Sequence, residues 1–179
     1  MAGSLTERMM GAAMLNVATY EEVEADQSAT GQAAAVVAIV AVCSAIGAIG
    51  DEGGSGGIIG ALLGALLSWG IWAGVTYVVG VVVFGGKATW GELLRTLGFA
   101  QSPGVLNVVG IIPILGGLVQ FVVWIWILVA GIVAIRQALD VSTGKAVLTA
   151  LIAAICMVVV TLALAAFFGG LALLGGMFT

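Results

Sequence analysis

The chain has 179 residues, 62% of them hydrophobic and only 8% charged, with a mean hydropathy of +1.26. A water-soluble domain of this length carries about a quarter charged residues to solvate its surface, so a globule in water is excluded and lipid must cover the outside. The net charge of −4 and the lack of a basic cluster argue against a nucleic-acid partner.

No hydrophilic stretch is long enough for a second domain. The expected fold class is all-α: a polytopic transmembrane helical bundle of five spans over residues 31–179, preceded by an amphipathic interfacial helix within a cytoplasmic lead, residues 1–30. The 28 glycines suit helices that pack closely inside a bilayer. The first long apolar run begins near Gln32, after an acidic rather than a basic segment, which is not the layout of a secretory signal.

Ser4 to about Asp26 reads as the amphipathic helix. Ser4-Leu5-Thr6-Glu7 has the form of a capping box. Leu5, Met9, Met10, Ala13, Met14, Val17 and Tyr20 fall on one face and Glu7, Arg8, Gly11 and Glu22 on the other, with Leu15 out of place. The acidic run Glu21–Asp26 would be repelled by anionic headgroups, which favours packing on protein over lying on the membrane.

The first span is expected over Gln32–Ile49, followed by the loop Gly50–Gly56. The second covers about Gly57–Gly85, longer than the roughly 20 residues a bilayer needs, so it should tilt or project. Gly86–Ser102 reads as a polar connection carrying Lys87, Glu92 and Arg95, and Pro103 suits the first turn of the next helix. Gly104–Leu139 is too long for one span and is broken at Pro113 and Gly116-Gly117. Its first part, to Ile112, is a short third segment, either a thin span or re-entrant; Leu118–Ile135 is the fourth span. Ala146–Phe168 is the fifth, with an apolar tail Gly169–Thr179 at the far interface.

Charge placement supports this path. It puts Arg8, Lys87, Arg95, Arg136 and Lys145 on the amino-terminal side and Asp51 and Glu52 on the other; a single span over Gly104–Leu139 would spoil the pattern. The positive-inside rule then makes the amino terminus cytoplasmic and the carboxyl terminus external.

The predicted spans hold no Asp, Glu, Lys or Arg, the groups that persist in a bilayer where they carry function. Their polar residues, among them Ser44, Thr76, Asn107, Gln120 and Thr149, read as interhelical hydrogen bonders. Asn107, Pro113 and Gln120 together form a candidate polar cavity. Glu92 with Arg95, and Arg136 with Asp140, have the spacing of helical ion pairs. Asp51 and Glu52 are too few for a calcium site. Histidine is absent, and Cys43 and Cys156 sit in apolar runs as small hydrophobes. No metal, cofactor or catalytic residue is expected, and no enzyme. Gly60-x-x-x-Gly64 and Gly70-x-x-x-Gly74 mark helix packing, within the bundle or between copies. Trp69, Trp72, Trp124 and Trp126 read as interface anchors or lipid-facing bulk, with Trp90 in the connection.

The stretch Leu93-Leu94-Arg95-Thr96-Leu97-Gly98-Phe99-Ala100-Gln101-Ser102-Pro103 is followed by Ile111-Ile112-Pro113 and Leu115-Gly116. Farther on come Ile125-Trp126, Ala134 and Ala138-Leu139-Asp140-Val141-Ser142-Thr143-Gly144-Lys145-Ala146. This order resembles the bacterial branch of the Yip membrane family, named for Rab-interacting members in eukaryotes. The resemblance implies five spans, a cytoplasmic amino terminus and a non-enzymatic role. Pro103, Pro113, Trp126 and Lys145 match as structural positions only. Eukaryotic relatives carry a long cytosolic amino-terminal region that this sequence lacks, so Rab binding is not carried over.

The functional expectation is a non-enzymatic protein of the bacterial inner membrane that packs on lipids, on other integral membrane proteins or on itself, as an accessory or organising subunit or in membrane organisation. The alternative is a small transporter or channel at the Asn107, Pro113 and Gln120 cavity.

Overall fold

A computed structural model of the chain describes residues 3–49 and 57–176, and every regular element in them is helical. Two short helices, α1 Leu5–Ala13 and α2 Val17–Ala25, stand where the periodicity predicts one. The capping box opens α1 as expected, with the Ser4 hydroxyl accepting from the Glu7 N–H and the Glu7 carboxylate from the Ser4 N–H. The helix stops because Leu15 turns left-handed, φ 59°. The N–H groups of Leu15 and Asn16 then donate back to the carbonyls of Ala12 and Gly11. Glycine ordinarily makes this closure; here the leucine that interrupts the apolar face makes it. Asn16 caps α2, its side chain accepting from the Ala18 N–H.

Four helices among the described residues are long and apolar enough to cross a bilayer. They are α3, Ala29–Gly47; α4, Gly57–Val78, continued by the π-helical turn Val79–Val83; α6, Leu115–Ala138; and α7, Thr143–Gly176. Because α7 runs on to Gly176, most of the tail expected at the interface continues the helix. Its 34 residues make it about 51 Å long, well over a hydrocarbon core of about 30 Å.

The stretch expected as a polar connection contains α5, Trp90–Phe99. A second capping box starts it: the Thr89 hydroxyl accepts from the Glu92 N–H, and the Glu92 carboxylate accepts from the Thr89 N–H. Leu93, Leu97 and Phe99 are fully buried, and α5 touches α2, α3, α4 and α6. The core is therefore centred on this short helix, at the amino-terminal end of α3, and reaches to Ala134, Ala138 and Leu139 of α6.

Ser102–Ile111 forms a 3₁₀ helix of 10 residues, longer than the three or four residues usual for that geometry. Its rise of about 2 Å per residue stretches it to about 20 Å, against about 15 Å for the α form. Glycines let it lie directly on its neighbours. Gly98 approaches Ala33, Gly104 approaches Val40, and Gly110 meets Gly47, so the chain from α5 onward runs alongside α3 in the same direction. A Cβ on Gly98 would stand 2.8 Å from that of Ala33. Past Ile112, which is extended as a residue before proline must be, the chain reverses in a tight turn. The Leu115 N–H donates to the Pro113 carbonyl at 2.8 Å, and Ile114 between them sits at φ 67°, 96% exposed within the chain. This is the strained γ-turn. α6 then returns antiparallel, Gly116 against Gly110 and Ile127 against Gly104.

Candidate functional site

Two polar assemblies stand out. The first gathers at the amino-terminal side. Arg8, expected on an exposed polar face, is 2% exposed. Its guanidinium donates to Glu22 Oε1 at 2.9 Å, Asp26 Oδ2 at 2.6 Å and Gln32 Oε1 at 2.9 Å, tying α1, α2 and α3 together. Ser28 and Arg8 together hold the Asp26 carboxyl down at about 2. Gly11, on the same expected face, packs on Thr19 instead.

Arg95, 6% exposed, donates through Nε to the carbonyl of Val23 at 2.9 Å and also to that of Glu24. These carbonyls belong to the last turn of α2 and have no partner within it, so the cation satisfies them and meets the negative end of the helix dipole. The expected pair with Glu92 does not form, since that carboxylate serves its own helix start. Nor do Arg136 and Asp140 pair: the Arg136 Nε donates to the neighbouring Gln137 side chain. Asp140 instead turns left-handed at φ 52° to close α6, the Asp140 and Val141 N–H groups donating to Gln137 and Arg136. Lys145 Nζ donates to the Phe84 carbonyl just past the π-helical turn. Beside Arg95, the Glu24 carboxyl is pushed up to about 7 by burial and by the charges of Glu92, Asp140 and Glu21, against the pull of Arg95.

The second assembly is a recess of about 310 Å³ between α3, the 3₁₀ helix and α6, lined by Ser44, Asn107, Gln120, Val123, Trp124 and Ile127. The Asn107 amide donates to the Ser44 hydroxyl at 3.0 Å, and the Gln120 amide fills the space that a side chain on Gly110 would occupy. Asn107 and Gln120 thus come together as the sequence proposes, with Ser44 added. Pro113 does not line the recess; it belongs to the reversal beyond it. Ser44 lies one turn before the end of α3, about 5 Å from it. On the other side of Trp124 and Ile127 an apolar groove of about 440 Å³ runs between α4, α5, α6 and α7, with Trp72 and Leu128 in its walls.

The glycine pairs of α4 have different surroundings. A side chain on Gly60, Gly64 or Gly70 would touch no described atom. Gly70 and Gly74 instead seat an indole: Trp90 Nε1 donates to the Gly70 carbonyl at 3.3 Å and stands 3.7 Å from where a Gly74 Cβ would be. Close approaches within the chain are made instead by glycines such as Gly47, Gly80, Gly98, Gly104, Gly110 and Gly116, each against an element other than its own, which no spacing along one helix reveals. Trp69 and Trp126 also donate across elements, to the carbonyls of Leu94 and Ala13. Cys43 and Cys156 are free and half-buried. No cluster of His, Cys, Asp and Glu among the described residues is fit to hold a metal ion. Asp51 and Glu52 lie outside the described residues.

Long apolar helices around a core centred on a short buried helix define an integral membrane protein of the polytopic, all-helical class. Within that class the chain belongs to the Yip1 domain family, whose model matches residues 14–166. No curated protein and no solved structure matches it.

Proposed function

We propose that this chain is a five-crossing, non-enzymatic protein of the bacterial inner membrane, with its amino terminus in the cytoplasm. In this reading it organises a membrane complex by helix contact. Two features support five crossings: α5 and the 3₁₀ helix together keep pace with α3 from Ala33 to Gly47, the 3₁₀ helix along Val40 to Gly47, and a third crossing there keeps every Lys and Arg on one side. The organising role rests on the outer face of α4. There Gly60 and Gly64 are open, flanked by exposed Ile59, Leu63 and Leu67, and small residues let a neighbouring helix approach closely in lipid. An accessory subunit presents such a face to its partner.

The test is disulfide trapping in native membranes of Gly60→Cys and Gly64→Cys in a chain whose Cys43 and Cys156 are replaced by Ala, followed by mass spectrometry of the adducts. A discrete adduct, with self or another membrane protein, is expected at these positions and not at Leu62. Equal labelling all round α4, with no adduct, would overturn the reading. Reporter fusions after Trp90, Gly116 and Thr143 should read inside, outside, inside.

One observation favours a second reading, a small transporter or channel. The exposed Gln120 amide has no protein partner among the described residues and would seek a polar ligand in hydrocarbon. Against it, the recess lies toward one end of α3, whereas transporters bind near the midplane. Uptake by liposomes that is lost in Gln120→Ala would favour the transporter.

A further inference from the structure

We propose that the α1–α2 hairpin is sunk into the hydrocarbon of the bilayer leaflet on its own side, pinned there by Trp126, so that it adds cross-section to one leaflet only. Depth is the first observation. Trp126 Nε1 donates to the Ala13 carbonyl, the last of α1, at 2.7 Å. Trp126 stands halfway along α6, about 18 Å from its end at Ala138. α1 also touches the 3₁₀ helix, which lies deeper than α5. The base of the hairpin, by contrast, is held by Arg8, Glu22 and Asp26 at the start of α3.

Chemistry follows depth. Glu7, Arg8, Glu21, Glu22, Glu24 and Asp26 all lie at the base. From Met9 to Ala18 the only polar side chain is Asn16, which is engaged with the Ala18 N–H. Met10 is 56% and Met14 71% exposed on the outer face near the tip.

Backbone bonding is the third and strongest observation. A helix end in water leaves its last carbonyls to solvent, but in hydrocarbon each must find a protein donor. All four last carbonyls of α1 have one. Met10 accepts from the Met14 N–H, Gly11 from Asn16 and Ala12 from Leu15, while Ala13 accepts from the Trp126 indole. Ala12 accepts a second bond, from the Tyr20 hydroxyl. An α1 end whose last carbonyls are all bonded within the protein, at the depth of the middle of α6, fits acyl chains better than water. The inference rests on α6 crossing the membrane and not on any partner, so its failure leaves the proposed role of the α4 face standing.

The test uses the full chain in liposomes, Cys43 and Cys156 replaced by Ala, with a single nitroxide at Thr6→Cys or Met14→Cys. Collisions with oxygen report lipid, and collisions with a water-soluble nickel chelate report solvent. The Met14 label should meet oxygen and not the chelate, and the Thr6 label the reverse. A Met14 label open to the chelate, or shielded from both because protein covers the tip, overturns the proposal. Trp126→Phe keeps an aromatic ring, though a smaller one, and removes the donor. With it the Met14 label should move toward the chelate, and an unchanged depth would overturn the pinning role of the indole.

Discussion

The Arg95 guanidinium holds the Val23 carbonyl at 2.9 Å, so the end of α2 is finished by a side chain from α5, far along the chain. A cation at i and a carboxylate at i−3 on one helix would ordinarily be paired with each other, yet Arg95 and Glu92 point to different tasks. Arg95→Met should therefore leave buried carbonyls without donors and cost about 2–3 kcal/mol. Glu92→Gln keeps a capping side chain and should cost less than about 1 kcal/mol. Thermal unfolding of the two variants in detergent separates them, and equal losses would restore the ion pair.

Stability should depend on pH through two carboxyls of opposite sign. Asp26 is held down at about 2 in the folded chain, below its ordinary 3.8. Its contribution is present above pH 4 and is lost as pH falls through that window. Glu24 is raised from 4.5 to about 7, so the folded state resists its ionisation and stability declines as pH rises from about 4.5 to 7. Glu24→Gln should remove that decline, giving a higher melting temperature than the parent at pH 8 and little difference at pH 4. A parent curve that is flat across this interval would count against the burial of Glu24.

The glycines divide into two groups by what a side chain would meet. Gly98→Leu and Gly110→Leu would drive into Ala33 and into Gly47 with the Gln120 amide, and each should cost about 1–3 kcal/mol or more. Gly60→Leu and Gly64→Leu meet no described atom. They should leave melting of the isolated chain near the parent while weakening any adduct at that face. The same melts that rank these four variants check both halves of the statement.

Thr76 is fully buried, and its hydroxyl has no hydrogen-bond partner among the described residues. Thr76→Val keeps the shape and removes the unpaired group, so it should be neutral or stabilising by about 1 kcal/mol. Thr149→Val is the contrast, because the Thr149 hydroxyl donates to the Lys145 carbonyl at 2.8 Å. A loss at Thr76 equal to that at Thr149 would mean that the hydroxyl has a partner after all.

The membrane character and the reversal near Pro113 were legible because both rest on local signals, composition and helix-breakers. The hairpin at Leu15 was legible only as an anomaly, a leucine off its face, since a left-handed leucine has no sequence signature of its own. The helix α5 was missed although Thr89-Trp90-Gly91-Glu92 repeats the capping box recognised at Ser4, because Lys87, Glu92 and Arg95 make the stretch look like a loop. The burial of Arg8 and Arg95 was out of reach, since their partners lie on other elements and charge alone argues for solvent. Asn107 and Gln120 were conspicuous as amides in an apolar run and line one recess, whereas Pro113, named with them, does not. Ser44, their third member, was one hydroxyl among several.

Biogenesis inherits a constraint from the 3₁₀ helix. Ten residues stretched to about 20 Å fall short of a hydrocarbon core of about 30 Å, so the segment depends on its neighbours. Its glycines are shaped to α3 on one side and α6 on the other. α3 leaves the ribosome long before it, but α6 emerges after it, so the segment must wait near the insertion machinery until its successor is made. In the proposed five-crossing arrangement it then enters the bilayer paired with α6. Translation order and assembly order therefore part company at this one place in the chain.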